Sequence, residues 1–261
     1  MCDSKINKNS RVRHQGNKII NVLIYLIMIV VIQVPVGLSL VALPLSLRLN
    51  DWYTIAMSMF ILGITLLIIW GIRSYYLYRT YEYQDFKMSI KDIFINIGFF
   101  FLVILCSISA NALMFIFTGN SNTQNQETID DSLSSLMDKS HLPHPTIVLV
   151  TVLCLCIIGP YLEELVFRGI FKETLFMKCR FWLPLIFSSL IFSSQHLSSN
   201  IFSYAIYFLM GIILYIAYDR RRNLKDSMMV HIFNNSLTTL PFLIIYLSLI
   251  HISEPTRRRG I

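Results

Sequence analysis

Charge is scarce in this chain. Asp, Glu, Lys and Arg make up 14% of its 261 residues and hydrophobic residues 55%, whereas a soluble domain carries about 25% charged and about 45–50% apolar residues. With a mean hydropathy of +0.60 and repeated apolar runs of about twenty residues, this scarcity excludes a soluble enzyme, a disordered tail and a secreted disulfide scaffold. Cysteine is sparse too. Cys2, Cys106, Cys154, Cys156 and Cys179 show no metal-finger spacing and read as small buried hydrophobes without a role. The chain has no GxSxG elbow, no GxxxxGK(S/T) phosphate loop and no HExxH zinc helix, so three common hydrolytic and phosphate-handling chemistries are missing.

What is there is a series of apolar segments. They run over Ile19–Leu47, Trp52–Ile72, Ile93–Phe117, Thr146 to about Phe171, Trp182–Leu197, Ile201–Tyr218 and Met228 to about Tyr246. Each approaches the roughly 20 residues that cross a bilayer core of about 30 Å, the fifth being the shortest. The first run is too long for a signal-peptide core and no small-residue cleavage site follows it, so it reads as a retained span. The expected fold is an all-α polytopic transmembrane helical bundle of about seven spans.

Basic residues orient it. Lys5, Lys8, Arg11, Arg13 and Lys18 precede the first span; Arg73, Arg79, Lys87 and Lys91 lie between the second and third. Lys172, Lys178 and Arg180 follow the fourth, and Arg220, Arg221, Arg222 and Lys225 follow the sixth, whereas the alternate connections hold only Arg48 and Lys139. The positive-inside rule then places the N-terminus in the cytoplasm. The net charge of +7 reports topology, and nucleic acid is not expected as a partner. The polar stretch Thr118–His144, with Glu127, Asp130, Asp131 and Asp138, becomes a long outer loop whose Asn, Ser and Gln content suggests mobility.

The organisation is therefore a basic segment 1–18, three helices over 19–117, a polar loop 118–145 and a helical core 146–246. Residues Leu247–Arg257 read LSLIHISEPTR, which resembles the translated read-through of a sequencing-library transposase adapter. On that reading 247–261 is a non-native tail, and His251, Glu254 and the terminal arginines are excluded from functional argument.

An ionisable side chain in a spanning helix costs at least about 2.5–3.5 kcal/mol on insertion scales and is a functional candidate by default. Span four ends in Gly159-Pro160-Tyr161-Leu162-Glu163-Glu164-Leu165-Val166-Phe167-Arg168-Gly169; span five carries Phe192 and His196, and span seven His231 and Asn235. The bland reading of Glu163 and Glu164 is an interfacial helix end paired with Arg168. His231 and Asn235, four apart, project from one helix face. Ser193, Ser194 and Ser236 lack an evident base partner, which leaves activation of water. A buried carboxylate acts as general base with a histidine positioning the water, and a second histidine and an amide support an oxyanion. Alternatively, glutamate and two imidazoles hold a divalent metal whose bound water is the nucleophile.

These residues resemble the CPBP family of intramembrane proteases, which includes CAAX-prenyl endopeptidases and bacteriocin-processing and self-immunity proteins. Its motifs EExxxR, FxxxH and HxxxN occur in order as Glu163-Glu164 with Arg168, Phe192 with His196, and His231 with Asn235, and Phe167-Arg168-Gly169 fits the flanking FRG. The resemblance covers roughly Thr146–Tyr246. It implies a catalytic set of Glu163, Glu164, His196, His231 and Asn235, with Glu163 and His196 acting on the attacking water and His231 and Asn235 on the oxyanion. Arg168 and Phe192 are supporting residues, Arg168 orienting Glu164 as an ion pair. The resemblance leaves the metal open: Zn2+ or another divalent ion on Glu163, His196 and His231, or a metal-free glutamate site.

The expectation is an endopeptidase in a bacterial cell membrane, with the bilayer and a peptide precursor or membrane protein as its partners. The alternative is a non-catalytic immunity or interaction protein. A proton-relaying transporter comes third, weakened by the lack of an internal repeat. One geometric tension remains. At about 1.5 Å per residue, Glu163 lies about 26 Å from Pro145, His231 about 9 Å from Lys225 and His196 about 22 Å from Phe181. The three meet only if span five starts outside the bilayer or span four is displaced, and the cavity between them is expected to open toward the cytoplasm.

Overall fold

A computed structural model describes residues 16–80, 87–134, 142–179 and 181–258, with side chains to residue 251. Most of the basic N-terminal segment, Asp138, Lys139, Arg180 and the terminal arginines lie outside the described residues or side chains. The helices are α1 (Lys18–Val31), α2 (Val34–Ser46), α3 (Asp51–Arg79), α4 (Ile90–Thr118) and α5 (Gln124–Ser134). They are followed by α6 (Pro145–Leu153), α7 (Gly159–Glu164), α8 (Trp182–Ser194), α9 (Ile201–Asp219) and α10 (Leu224–Arg258).

The fold is an all-α bundle. Among the described residues six helical stretches are long and apolar enough to cross a membrane: Lys18–Ser46, Asp51–Arg79, Ile90–Thr118, Pro145–Leu175, Ile201–Asp219 and Leu224–His251. The fifth expected span, Trp182–Leu197, is instead the 13-residue helix α8, about 20 Å long at 1.5 Å per residue and too short to cross. The helix starts follow from their caps. Asn50, Ser89 and Asn200 each accept a backbone N–H with the side chain in the first turn, satisfying donors that a helix leaves orphaned. The first span breaks into α1 and α2 at Ile32 and Gln33, because Pro35 has no N–H to donate to the carbonyl four residues back.

The span that carries the two glutamates is central. In its most apolar stretch 61% of residues are buried, against 28%, 22% and 17% in the three preceding spans, whose outward faces expose Trp52, Phe60, Leu67, Trp70, Phe94 and Ile116. Leu162, Leu165, Val166, Phe167, Ile170 and Phe171 form the middle of the core with Tyr25, Ile72, Tyr76, Phe192 and Leu214. Helix α8 folds back on α9, and Gly211 permits the close approach: a Cβ there would lie 3.0 Å from Ser189 Cα. At the Arg220–Arg222 turn, Arg220 and Arg221 each reach Asp92 at 2.8 Å, and Arg221 Nη2 reaches Asp226 at 2.8 Å. Asn96 donates to Asp226 at 2.8 Å. This network ties the start of α10 to α4, and the Asp226 carboxylate beside it holds the Arg221 guanidinium above its ordinary range.

Two expectations need correction. The polar connection carries α5, whose Leu133 is fully buried against Ala42, Leu43, Ile147 and Val148. It is a packed element, because Ile129 and Leu133, four apart, give an otherwise polar helix one apolar face. The cysteines are not uniform either. Cys154 and Cys156 are buried free thiols and Cys106 a half-buried one, whereas Cys179 is disulfide-bonded.

Candidate active site

The glutamates stand on α7, a short α-helical piece between two stretches of wider π-helical turn, Cys154–Ile158 and Leu165–Leu175. Such turns concentrate at functional sites because one extra residue per turn re-aims the side chains that follow. Here the widening has an identifiable consequence. Gly159 N–H donates to Cys154 O, five residues back. In that register the Leu155 carbonyl faces the nitrogen of Pro160, which has no hydrogen to give. Asn235 Nδ2 donates to it instead, at 3.1 Å from α10. A proline in one helix thus fixes the amide of another.

Adjacent residues on a helix diverge, and the two glutamates go different ways. Glu164 is fully buried and forms an ion pair with Arg168 Nη1 at 3.0 Å. Its Oε1 also lies 2.9 Å from His231 Nδ1. A carboxylate held by a guanidinium accepts, so His231 Nδ1 carries the proton. Its Nε2 then faces Glu163, with Oε2 3.9 Å away. Arg168 is fully buried as well; its Nη2 donates to Gly211 O at 3.3 Å, and the guanidinium sits 4.6 Å from the centre of the Phe192 ring.

Phe192 is the hub between the two histidines. Its ring centre lies 4.7 Å from that of His196 and 5.8 Å from that of His231. His196, just past the end of α8, donates Nδ1–H to the Phe192 carbonyl at 2.9 Å, since a carbonyl only accepts. Its Nε2 keeps a lone pair. The other face of the ring stacks on Tyr207 of α9, centres 4.1 Å apart and planes at 17°. The Tyr207 hydroxyl pairs with Thr123 at 2.8 Å, and Asn125 N–H donates to Leu197 O at 3.1 Å.

Glu163, His196 and Asn235 line one cavity of about 230 Å³, together with Gln33, Val36, Gly37 and Leu40 of α2 and its cap, Asn125, Thr128 and Ile129 of α5, and Leu155, Gly159, Gln195 and Leu197. The sequence-derived residues therefore converge. Glu163 and His196 meet at this cavity, His196 lying two residues past the end of α8. The cavity is walled in part by α5, from the stretch read as the outer loop. Glu164 and His231, both placed by the motifs in the catalytic set, do not line the cavity; they pair with each other behind it, His231 Nδ1 to Glu164 Oε1 at 2.9 Å. Tyr207 and the α5 face went unassigned in the sequence. A tyrosine in an apolar span gives no signal, but the Ile129–Leu133 spacing does.

Among the described residues no three His, Cys, Asp or Glu side chains gather closely enough to hold a metal ion. Glu163, His196 and His231, the donor set expected for zinc, share the site without forming such a cluster, and no reaction step is derived through a metal. Ser193 and Ser194 spend their hydroxyls on Tyr204 O at 2.6 Å and Ile191 O at 2.7 Å.

Residues 145–237 match the family of Type II CAAX prenyl endopeptidase Rce1-like proteins. No curated protein and no solved structure matches the chain. The matched segment begins with α6 and ends two residues past Asn235, so it contains all three motifs and every buried polar group of the site. This segment is similar to the CPBP-type intramembrane proteases that the three motifs resemble. The chain is an integral membrane protein, and its segment 145–237 is similar to a peptidase family.

Proposed function

We propose that this protein is an intramembrane endopeptidase that hydrolyses a peptide bond of a peptide precursor or membrane protein with water activated by Glu163, in a bacterial membrane. One observation carries the reading: Glu163 stands in a cavity wall with its second carboxylate oxygen lacking a hydrogen-bond partner, beside an imidazole whose far nitrogen is already committed to a buried ion pair.

The sequence of steps uses this chain's own groups. Glu163 takes a proton from water, which His196 Nε2 holds by accepting its other hydrogen. The hydroxide adds to the carbonyl carbon, and the carbonyl π pair moves onto oxygen. The proton passes from Glu163 to His231 Nε2, and Glu164 stabilises the resulting imidazolium through Nδ1, as the buried carboxylate of a catalytic triad does. The 3.9 Å between Glu163 and His231 closes to a hydrogen bond on substrate binding, as catalytic contacts loose in the free enzyme do. His231 Nε2–H and the second N–H of Asn235 face the oxyanion. Collapse of the intermediate breaks the C–N bond, and the leaving amine takes the proton from His231.

The test compares new peptide termini in membranes holding the native protein or Glu163→Gln at equal abundance. Termini present with the native protein and missing with the variant support proteolysis. Identical termini in both, with a host-protective phenotype retained by Glu163→Gln, would replace this reading with the immunity one.

A further inference from the structure

A second cavity, of about 210 Å³, lies between α4, α9 and α10. Ser107 and Asn111 of α4 and Asn234 and Thr238 of α10 line it, each pair four residues apart and so on one helix face. Ser121 and Asn122, both exposed, stand at its end in the polar connection read as the outer loop. Asn111 Oδ1 is buried without a hydrogen-bond partner, and a buried acceptor in an apolar helix is costly unless a bound molecule satisfies it. Among the described residues no charged side chain lines this chamber, so its walls favour no ion. It falls below the about 300–1,000 Å³ of a small-molecule site, yet it has room for about seven waters at about 30 Å³ each.

The partition between the two cavities is one side chain thick. Tyr207 lines the second chamber and stacks on His196, which lines the first. Asn234 lines the second chamber and donates Nδ2–H to Oδ1 of Asn235, which lines the first, at 3.4 Å. It also donates to Met210 Sδ at 3.9 Å. Both contacts are long, so this amide turns at little cost, whereas the Tyr207 ring is held by its stack and by Thr123 at 2.8 Å.

We propose that this second chamber is a water site that feeds the catalytic cavity, with the Asn234 amide as its gate. This deepens the proteolytic reading and rests on it. Hydrolysis consumes one water for each peptide bond cut, and a substrate that fills the catalytic cavity expels the water held there. The second chamber lies outside that cavity, so its water stays one side chain away from His196 while substrate is bound. When the Asn234 amide swings aside, a water passes Asn235 to the wall that bears Glu163 and His196. A replacement enters past Ser121 and Asn122, and Asn111 Oδ1 accepts a hydrogen bond from the water held in the chamber.

The test uses the purified full chain in lipid nanodiscs. X-ray radiolysis makes hydroxyl radicals from water in place, and mass spectrometry reads the side chains they oxidise. Met210, buried but lining the chamber, is the probe, and Met114, fully buried and in neither cavity wall, is the reference. Met210 of the native protein oxidises several-fold faster than Met114. Asn111→Leu is close in size and removes the buried acceptor; it lowers Met210 oxidation toward the Met114 rate. On a peptide cleaved from a randomised octapeptide library, Asn111→Leu and Asn234→Leu each lower kcat at least about 5-fold with KM unchanged, the effect of one lost neutral hydrogen bond at the barrier. Asn111→Ser and Asn234→Ser, which stay polar, remain near native. SDS titration checks that each variant folds, and Thr238→Val, isosteric and on the opposite wall, is the second drying variant. Met210 oxidation at the Met114 rate in the native protein, or native kcat in both leucine variants, overturns the water site and leaves the proteolytic reading standing when Glu163→Gln is inactive. No cleavage by the native protein, or equal cleavage by Glu163→Gln, removes both.

Discussion

Replacing Arg168 with leucine tests the buried charge arrangement most directly. The guanidinium is fully buried, 3.0 Å from the equally buried Glu164 and 3.3 Å from Gly211 O. Removing it leaves a carboxylate in the core with His231 as its remaining close partner, and breaking a buried ion pair in this way costs about 3–5 kcal/mol. Deleting both partners, Glu164→Leu with Arg168→Leu, removes the stranded charge. The double variant therefore sits well above the sum of the single losses, with a coupling of at least about 2 kcal/mol, inside the range for residues in one network. Unfolding by SDS titration in mixed micelles, followed by tryptophan fluorescence, reads the stabilities. Peptide cleavage by the same preparations reads function. Activity stays lost in the double variant, because His231 no longer has Glu164 to hold Nδ1–H and turn Nε2 toward Glu163. Additive stability losses would refute the coupling, and recovered activity in the double variant would refute the positioning role of Glu164.

Asn235→Ala removes one oxyanion donor and frees the Leu155 carbonyl; kcat falls about 10²–10³-fold with KM little changed, the cost of one such donor, and steady-state kinetics on any cleaved library peptide check it. Tyr207→Ala deletes the ring stacked on His196; an aromatic pair is worth about 0.5–1.5 kcal/mol, so kcat drops roughly 2- to 12-fold, whereas Tyr207→Phe, which keeps the stack and loses the Thr123 contact, stays near native. Exhaustive dialysis against a divalent-metal chelator leaves cleavage unchanged, because Glu163, His196 and His231 do not close into a three-ligand set; loss of activity restored by added Zn2+ would overturn the metal-free route.

How much of the site was legible in the sequence depends on the kind of signal each residue gives. Glu163, Glu164, Arg168, His196, His231 and Asn235 stand out because polar groups in apolar helices are expensive, so their presence is informative wherever they fall. Their helical spacing also fixed which pairs share a face, and the Glu164–Arg168 pair follows from positions four apart. The basic connections and the six long apolar stretches came from composition alone, since a bilayer sets helix length through its thickness.

Only the tertiary structure decided how those helices are cut and re-aimed. Counting residues at a uniform rise put His196 too deep to meet Glu163, whereas the two line one cavity; α8 ends at Ser194, and wide turns flank α7. Neither a short helix nor a π turn is written in hydropathy. The Leu155 carbonyl was unreadable for the same reason, because a free backbone acceptor exists only once Pro160 meets that wider register. The α5 wall needed the fold as well: Asn125, Thr128 and Ile129 are ordinary loop residues until Leu133 is buried and turns them toward Glu163. Sequence determined which groups the membrane must hide, through the cost of burying them; the packing of distant helices decided which of those groups face one another.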